Sequence, residues 1–144
     1  MRHPGGVTEL ARLTVQGATL TLRRAAADDV SSIVDLLAAD QLGATRDGVS
    51  TDEDLQPYLD AFHVIDADPA HLLLVATDSV QVLATMQLSF LPGLARRGAL
   101  RAQIEAVRVR RDYRSRGLGA VLFGWAVEEA QRRSCALEIG RANV

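Results

Sequence analysis

The residues with the clearest chemical potential lie at positions 114 to 119, where the sequence reads Arg-Ser-Arg-Gly-Leu-Gly. This segment joins a strand-like run to an amphipathic helical run over 118–133, so it lies where a helix begins. The first amides of a helix have no intrahelical acceptor and carry a partial positive charge, which suits them to a phosphate. The two glycines let a ligand approach the backbone, and the two arginines add forked cationic donors. The pattern predicts a binding site for a pyrophosphate group.

Charge is distributed unevenly along the chain. Residues 1–95 carry 5 arginines and 13 acidic residues, whereas residues 96–144 carry 11 arginines and 5 acidic residues, so the formal balance changes from −8 to +6. The basic half contains the glycine-rich segment, as expected for a polyanionic ligand. A basic patch could also bind nucleic acid, but the arginines are not interleaved with stacking aromatic side chains and the pI of 5.9 is acidic. We therefore expect no nucleic-acid partner.

Length and composition predict one domain over 1–144, with a flexible tail at 1–12. No apolar run approaches the ~20 residues of a membrane span, and no apolar segment follows the first six residues as in a secretory signal. We expect a cytoplasmic protein without a membrane partner. The single cysteine, Cys135, allows no intrachain disulfide, and the histidines His3, His63 and His71 are scattered, so no metal site is predicted.

The hydrophobic pattern predicts the order β-α-α-β-β-β-α-β, an α/β fold with a mixed, mostly antiparallel sheet and flanking helices. The last strand–helix–strand unit should be a right-handed parallel crossover. The predicted strands are 18–23, 71–77, 80–90, 100–109 and 134–139; helices are predicted to begin at Ala27 and Thr51 and to cover 118–133, with a turn-rich loop at 41–50.

From about position 18 onwards, and most sharply over 103–130, the sequence resembles the GCN5-related N-acetyltransferase (GNAT) superfamily. That family's signature is Arg/Gln-x-x-Gly-x-Gly/Ala after a strand that ends in valine. Here it reads Arg114 to Gly119, with Val109 five residues upstream. The resemblance implies the GNAT (acyl-CoA N-acyltransferase) fold, acetyl-CoA as cosubstrate, and transfer of an acetyl group to a primary amine by direct attack.

The resemblance also implies where the cofactor binds. Backbone groups of Val107 and Val109 would pair with the pantetheine arm as an added strand, and amides from position 114 to 120 would hold the pyrophosphate. An asparagine near the end of the chain matches a family position that contacts the cofactor, or else belongs to a chance tail. The cofactor-binding residues implied in this way are Val107, Arg108, Val109, Arg114, Ser115, Arg116, Gly117, Leu118, Gly119, Ala120 and Asn143.

A catalytic role is implied for Glu105, which matches a family position often used as general base toward the substrate amine, usually through water. By simple strand alternation Glu105 shares a face with Val107 and Val109. Near a bound thioester its carboxylate could relay a proton. The alternative is a strand carboxylate paired with Arg101 or Arg108.

The sequence departs from the family pattern at its end. Family members continue past the fifth strand into a helix bearing a tyrosine that protonates the leaving thiolate, and then into two more strands, whereas this sequence stops at Val144. The fold is therefore expected to lack that last helix and those strands, and a homodimer is expected to cover the open sheet edge. The acceptor is expected to be a small-molecule or peptide amine. The alternative function is a non-catalytic acyl-CoA-binding or interaction module of the same family.

Overall fold

The computed structural model describes residues 9–39, 52–139 and 142–143. Its strands form one sheet in the order β1-β2-β3-β4-β5-β6, with β7 also beside β5. The pairs from β1 to β5 are antiparallel, whereas β6 and β7 run parallel to β5. The predicted mixed, mostly antiparallel sheet with flanking helices is confirmed. The strands are β1 (Glu9–Val15), β2 (Ala18–Arg24), β3 (His71–Thr77), β4 (Val82–Pro92), β5 (Leu100–Val109), β6 (Ala136–Ile139) and β7 (Ala142–Asn143); the helices are α1 (Val30–Ala39), α2 (Asp52–Ala67) and α3 (Leu118–Arg132).

The predicted flexible tail at 1–12 is wrong from Glu9 onwards, because β1 begins there and pairs with β2. Gln16 and Gly17 join the two strands, and both have positive φ (48° and 82°), as a tight hairpin turn requires. Only Leu13 and Val15 of β1 are fully buried, so the strand lacks the dense apolar run that marks a central strand. The predicted loop at 41–50 and the Thr51 cap lie outside the described residues.

Two helical layers cover the sheet. Helices α1 and α2 pack on one face around Val34, Phe62 and Val75, whereas α3 covers the other face, where Leu118 and Leu122 join the larger core cluster. Strand β3 lies between these layers, and its last four residues, Leu74 to Thr77, are all buried. Its continuous apolar sequence therefore reflects burial on both sides.

An ion pair fixes the start of α1 to the sheet. Arg23 of β2 donates to both carboxylate oxygens of Asp29, at 2.6 Å (Nη1–Oδ2) and 2.8 Å (Nη2–Oδ1), and the Ala26 amide donates to Oδ2 at 2.7 Å. Burial alone would raise the pKa of Asp29, but the hydrogen bonds from Arg23 and Ala26 and the charge of Arg23 outweigh it and hold that pKa below its usual range. The pair is largely shielded from water, with side-chain exposures of 17% and 10%.

Asp29→Ala should lower the free energy of unfolding at pH 7 by about 3 kcal/mol, because it leaves Arg23 half-buried without its counter-charge. Since the folded-state pKa of Asp29 is lowered, the stability from this pair is present above the unfolded pKa of about 4 and is lost as pH falls through the folded value. In urea denaturation, the difference in the free energy of unfolding between wild type and variant should become smaller below pH 4. Asp28→Ala, at the exposed neighbouring carboxylate, is the matched control and should change stability by less than about 0.5 kcal/mol. Equal effects of the two variants would contradict the assignment.

Candidate functional site

The glycine-rich segment forms a tight turn that leads directly into α3. A 3₁₀ turn over Arg111–Arg116 ends at Gly117, which has φ +88° and ψ 8°, and α3 begins at Leu118 as predicted. The amide of Val121 donates to the Gly117 carbonyl at 3.1 Å, which is the first α-helical bond. The amides that precede this bond have no intrahelical acceptor, and Gly117 has no side chain to cap them. The start of α3 therefore has the donor geometry of an anion site.

The conformation of Gly117, rather than crowding, requires a glycine there. A Cβ built on Gly117 would meet nothing within 4 Å, but the positive φ is one that most L-residues adopt only with strain. Around it Ser115, Arg116 and Ala120 are exposed, whereas Gly119 is buried beneath the turn. The open space over Gly117 is thus available to a ligand.

Arginines surround this turn. Arg114 Nε donates to the Val109 carbonyl at 3.0 Å and so ties the turn to the end of β5, while the Arg116 guanidinium lies 4.6 Å from the centre of the Tyr113 ring. Arg110 forms a forked pair with Asp112 at 2.7 and 2.8 Å. This hydrogen bonding lowers the pKa of Asp112, so the pair stays ionised at neutral pH. The net positive charge of the turn therefore comes from its other arginines.

A pocket of about 360 Å³ adjoins the turn. Its basic wall consists of Arg110, Arg111 and Arg114, and its opposite wall comes from Ser32 and Asp35 of α1. The pocket reaches Val109 at the end of β5 and lies beside the turn that precedes α3.

A β-bulge changes which side of β5 carries Glu105. Ala106 has φ +53°, and the pairing of β5 with β4 shifts at this point, opposite the stretch between Thr85 and Gln87. The prediction that Glu105 shares a face with Val107 and Val109 is therefore wrong. Those two valines are buried in the cluster beneath α3, as is Ile104, whereas Glu105 is paired with Gln87 on the face of α1 and α2.

Two side chains that the sequence did not single out accompany Glu105 on this face. His71 of β3 pairs with Ser89 of β4, and the two side chains are 2.8 Å apart (Nδ1–Oγ). The Ser89 hydroxyl in turn lies 3.5 Å from Glu105 Oε1 and is oriented to donate to it. Ser89 is buried, and Gln87 Nε2 lies 3.5 Å from its oxygen. Only the strand register, which sets His71 opposite Ser89 and places Glu105 diagonally across from Ser89, could have revealed this polar row in the sequence.

The outer edge of β5 beyond the bulge is occupied by β7. Val107 pairs with Ala142 and Arg108 with Asn143, both in parallel orientation. The structure thus places Asn143 beside the other candidate residues of β5. It also places β7 along the edge that the resemblance assigns to the pantetheine arm. Among the described residues, no group of three or more His, Cys, Asp or Glu side chains could hold a metal ion.

A comparison with protein families matches residues 33–144 to the acetyltransferase (GNAT) family. The chain belongs to this family. The match covers the glycine-rich turn, the strand that carries Glu105 and all three helices in part or whole. Family and fold together place the chain among the N-acetyltransferases. No curated protein matches it.

Solved structures show the same GNAT fold. The chain is 33% identical to a transcriptional regulator from Bacillus halodurans C-125, with a TM-score of 0.74 and coverage of 87% of this chain and 81% of that one. It is 20% identical to a glucosamine-6-phosphate N-acetyltransferase from Arabidopsis thaliana (TM-score 0.69, coverage 86% and 83%). It is 19% identical to a predicted acetyltransferase from Clostridium acetobutylicum whose crystal structure was solved with acetyl-CoA (TM-score 0.63, coverage 85% and 80%). Across the part of this chain that the structure describes, no helix is long and apolar enough to cross a membrane.

Proposed function

We propose that this GNAT-family chain binds acetyl-CoA and transfers the acetyl group directly to a primary amine. The observation that carries the proposal is the turn at Gly117, which presents uncapped amides at the start of α3 and directly follows Arg114 and Arg116. The diphosphate of coenzyme A matches this site in charge and in its need for several converging donors. Arg116, Gly117 and Ala120 are exposed residues, and the diphosphate would bind over them.

The pantetheine arm would extend from this turn along β5, pairing with the backbone of Val107 and Val109. Because Val107 and Arg108 are paired with β7, the arm has to take the place of Ala142 and Asn143 on that edge. Its thioester would then lie near the bulge at Ala106, where β5 departs from regular pairing with β4.

Glu105 would act as the general base. The carboxylate would accept a proton from the acceptor ammonium, directly or through water, and the neutral nitrogen would attack the thioester carbonyl. A backbone N–H near Val109 would polarise the carbonyl oxygen. The C–S bond would then break, and the nitrogen would lose its surplus proton to give the amide. The coenzyme A thiolate would leave and take up that proton, directly or through water. This route needs no covalent enzyme intermediate.

Acetyl-CoA at 100 times its Kd should stabilise the chain by about 2.7 kcal/mol, which raises the Tm by roughly 5–10 °C for a domain of this size. Pantetheine, which lacks the diphosphate, is the control and should raise the Tm by far less. Thiol release from acetyl-CoA should then appear with at least one member of a panel of primary amines. Binding without thiol release from any amine would favour the non-catalytic acyl-CoA-binding module, and an unchanged Tm would remove the proposal altogether.

The assembly and location of the chain stay predictions. We expect a homodimer through the sheet edge beside β6, a cytoplasmic location, and neither a nucleic-acid nor a membrane partner. Sedimentation at micromolar concentration measures whether the chain forms the homodimer. A stable monomer there would contradict the dimer without affecting the cofactor site.

A further inference from the structure

An apolar cavity of about 140 Å³ lies between α1 and α2, above the sheet. Its walls are formed by Val34 and Leu37 of α1 and by Tyr58 and Phe62 of α2, and Leu73 of β3 lies in its floor. The aromatic and aliphatic lining makes the cavity suitable for an apolar group and unsuitable for a charged one. It is separate from the basic pocket beside Arg114, whose lining shares no residue with it.

The cavity borders the candidate general base. Gln87 is the one side chain of β4 in its lining, and Gln87 is the direct cross-strand partner of Glu105. Side chains paired in this way lie about 5 Å apart at their Cβ atoms and share a face of the sheet. The polar row of Glu105 and Ser89 therefore begins where the apolar cavity ends. This places an acid next to an apolar recess, as an amphipathic amine would require.

We propose that the acceptor is a primary amine attached through a short linker to a benzene-sized apolar group, which enters the cavity between α1 and α2 while the amine reaches Glu105. The inference rests on the proposed acetyl transfer and adds the class of acceptor. Phenethylamine-like compounds and amines with branched aliphatic ends belong to this class. Sugar amines and polyamines do not, because their polar groups would lose water in the cavity without gaining hydrogen bonds.

The size of the cavity supports this class. In another protein an apolar cavity of about 150 Å³ stays dry and binds benzene, so a recess of 140 Å³ accommodates a phenyl ring or a branched alkyl group. Removing such a group from water favours binding. We therefore expect phenethylamine to bind at least about 10-fold more tightly than ethanolamine, which presents the same ammonium without the apolar part.

Ala61→Leu tests the cavity directly. Ala61 lines the cavity from α2 but is itself exposed, so leucine fills space there without altering the core. Ala67→Leu, at an exposed alanine on the same helix outside the lining, is the matched control. NMR titration of the acetyl-CoA-free protein should place phenethylamine shifts at Leu73 and Phe62. Ala61→Leu should weaken that binding about 10-fold and leave ethanolamine unchanged, and Ala67→Leu should change neither.

Two binding results would overturn the inference: equal affinity for phenethylamine and ethanolamine, or unaltered phenethylamine binding in Ala61→Leu. Acetyl-CoA binding by Ala61→Leu, read from its Tm shift, shows that the variant is folded. Failure of acetyl-CoA to bind the wild type would instead contradict the proposed function. Thiol release only with sugar amines or polyamines would leave acetyl transfer intact and remove this acceptor class.

Discussion

Replacing Gly117 with aspartate should weaken acetyl-CoA binding by about 100-fold, or about 2.7 kcal/mol. The carboxylate would extend into the open space above the turn, where the diphosphate is proposed to lie. A unit charge about 4 Å from another one contributes about 4 kcal/mol at an effective dielectric constant of 20, and the exposure of Gly117 reduces this figure. Isothermal titration calorimetry with acetyl-CoA measures the effect.

Gly117→Asn is the matched control because asparagine has the same shape as aspartate and no charge. Both residues are among those that best tolerate a positive φ, so the backbone strain at φ +88° is nearly equal in the two variants. The asparagine variant should retain binding within about 10-fold of wild type. Raising the salt concentration should bring the two variants closer together, because screening weakens the charge repulsion. Equal losses in both variants would show that strain, and not an anion site, explains the effect.

Glu105→Gln should lower kcat by about 10²- to 10⁴-fold and leave the Kd for acetyl-CoA unchanged, because it removes the base while keeping the size of the side chain. The Ser89 hydroxyl, 3.5 Å from Glu105 Oε1, can still donate to the amide oxygen of glutamine. Steady-state thiol release with the best acceptor amine measures the change. Glu105→Asp keeps a carboxylate on a shorter side chain and should retain part of the activity.

The pH dependence separates a base from a structural carboxylate. A primary amine with a pKa of about 10 is an ammonium ion at neutral pH, so it must lose a proton before it can attack the thioester. The defect of Glu105→Gln should therefore shrink as the pH approaches 10, where the free amine is abundant. A defect of constant size across this range, or full activity at pH 7, would remove Glu105 from the mechanism.

The sequence predicted those parts of the fold that depend on local pattern. The helix start at Leu118 could be predicted because glycine and arginine adjoin an amphipathic run there. Strand β3 could be predicted because it is apolar on both faces. The edge strand β1 escaped detection because its buried side chains, Leu13 and Val15, are too few to form a recognisable run. For the two strands, the outcome depended on how many side chains each one buries.

The face of Glu105 could not be predicted in the same way. Alternation along a strand holds only while the pairing is regular, and the bulge at Ala106 arises from the contact between β4 and β5 rather than from the residues of β5 alone. The contact between His71 and Ser89 likewise depends on the register between β3 and β4, because these two residues are 18 positions apart in the sequence. The anion site is thus local in sequence, whereas the surroundings of the proposed base are not.

The bulge at Ala106 lets β5 bury Val107 and Val109 beneath α3 while Glu105 lies on the opposite face of the sheet. With strict alternation, burial of Val107 and Val109 beneath α3 would place the carboxylate of Glu105 in the same apolar core. Burying the charged carboxylate there would destabilise the fold by several kcal/mol or force the carboxylate to take up a proton. The bulge keeps Ile104 in that core together with the valines and holds the acid on the opposite face. Deleting Ala106 would remove the bulge and leave regular alternation, with Ile104 and Val107 still beneath α3 and Glu105 still on the other face. The bulge thus accommodates one additional residue in β5 without changing the face on which its neighbours lie.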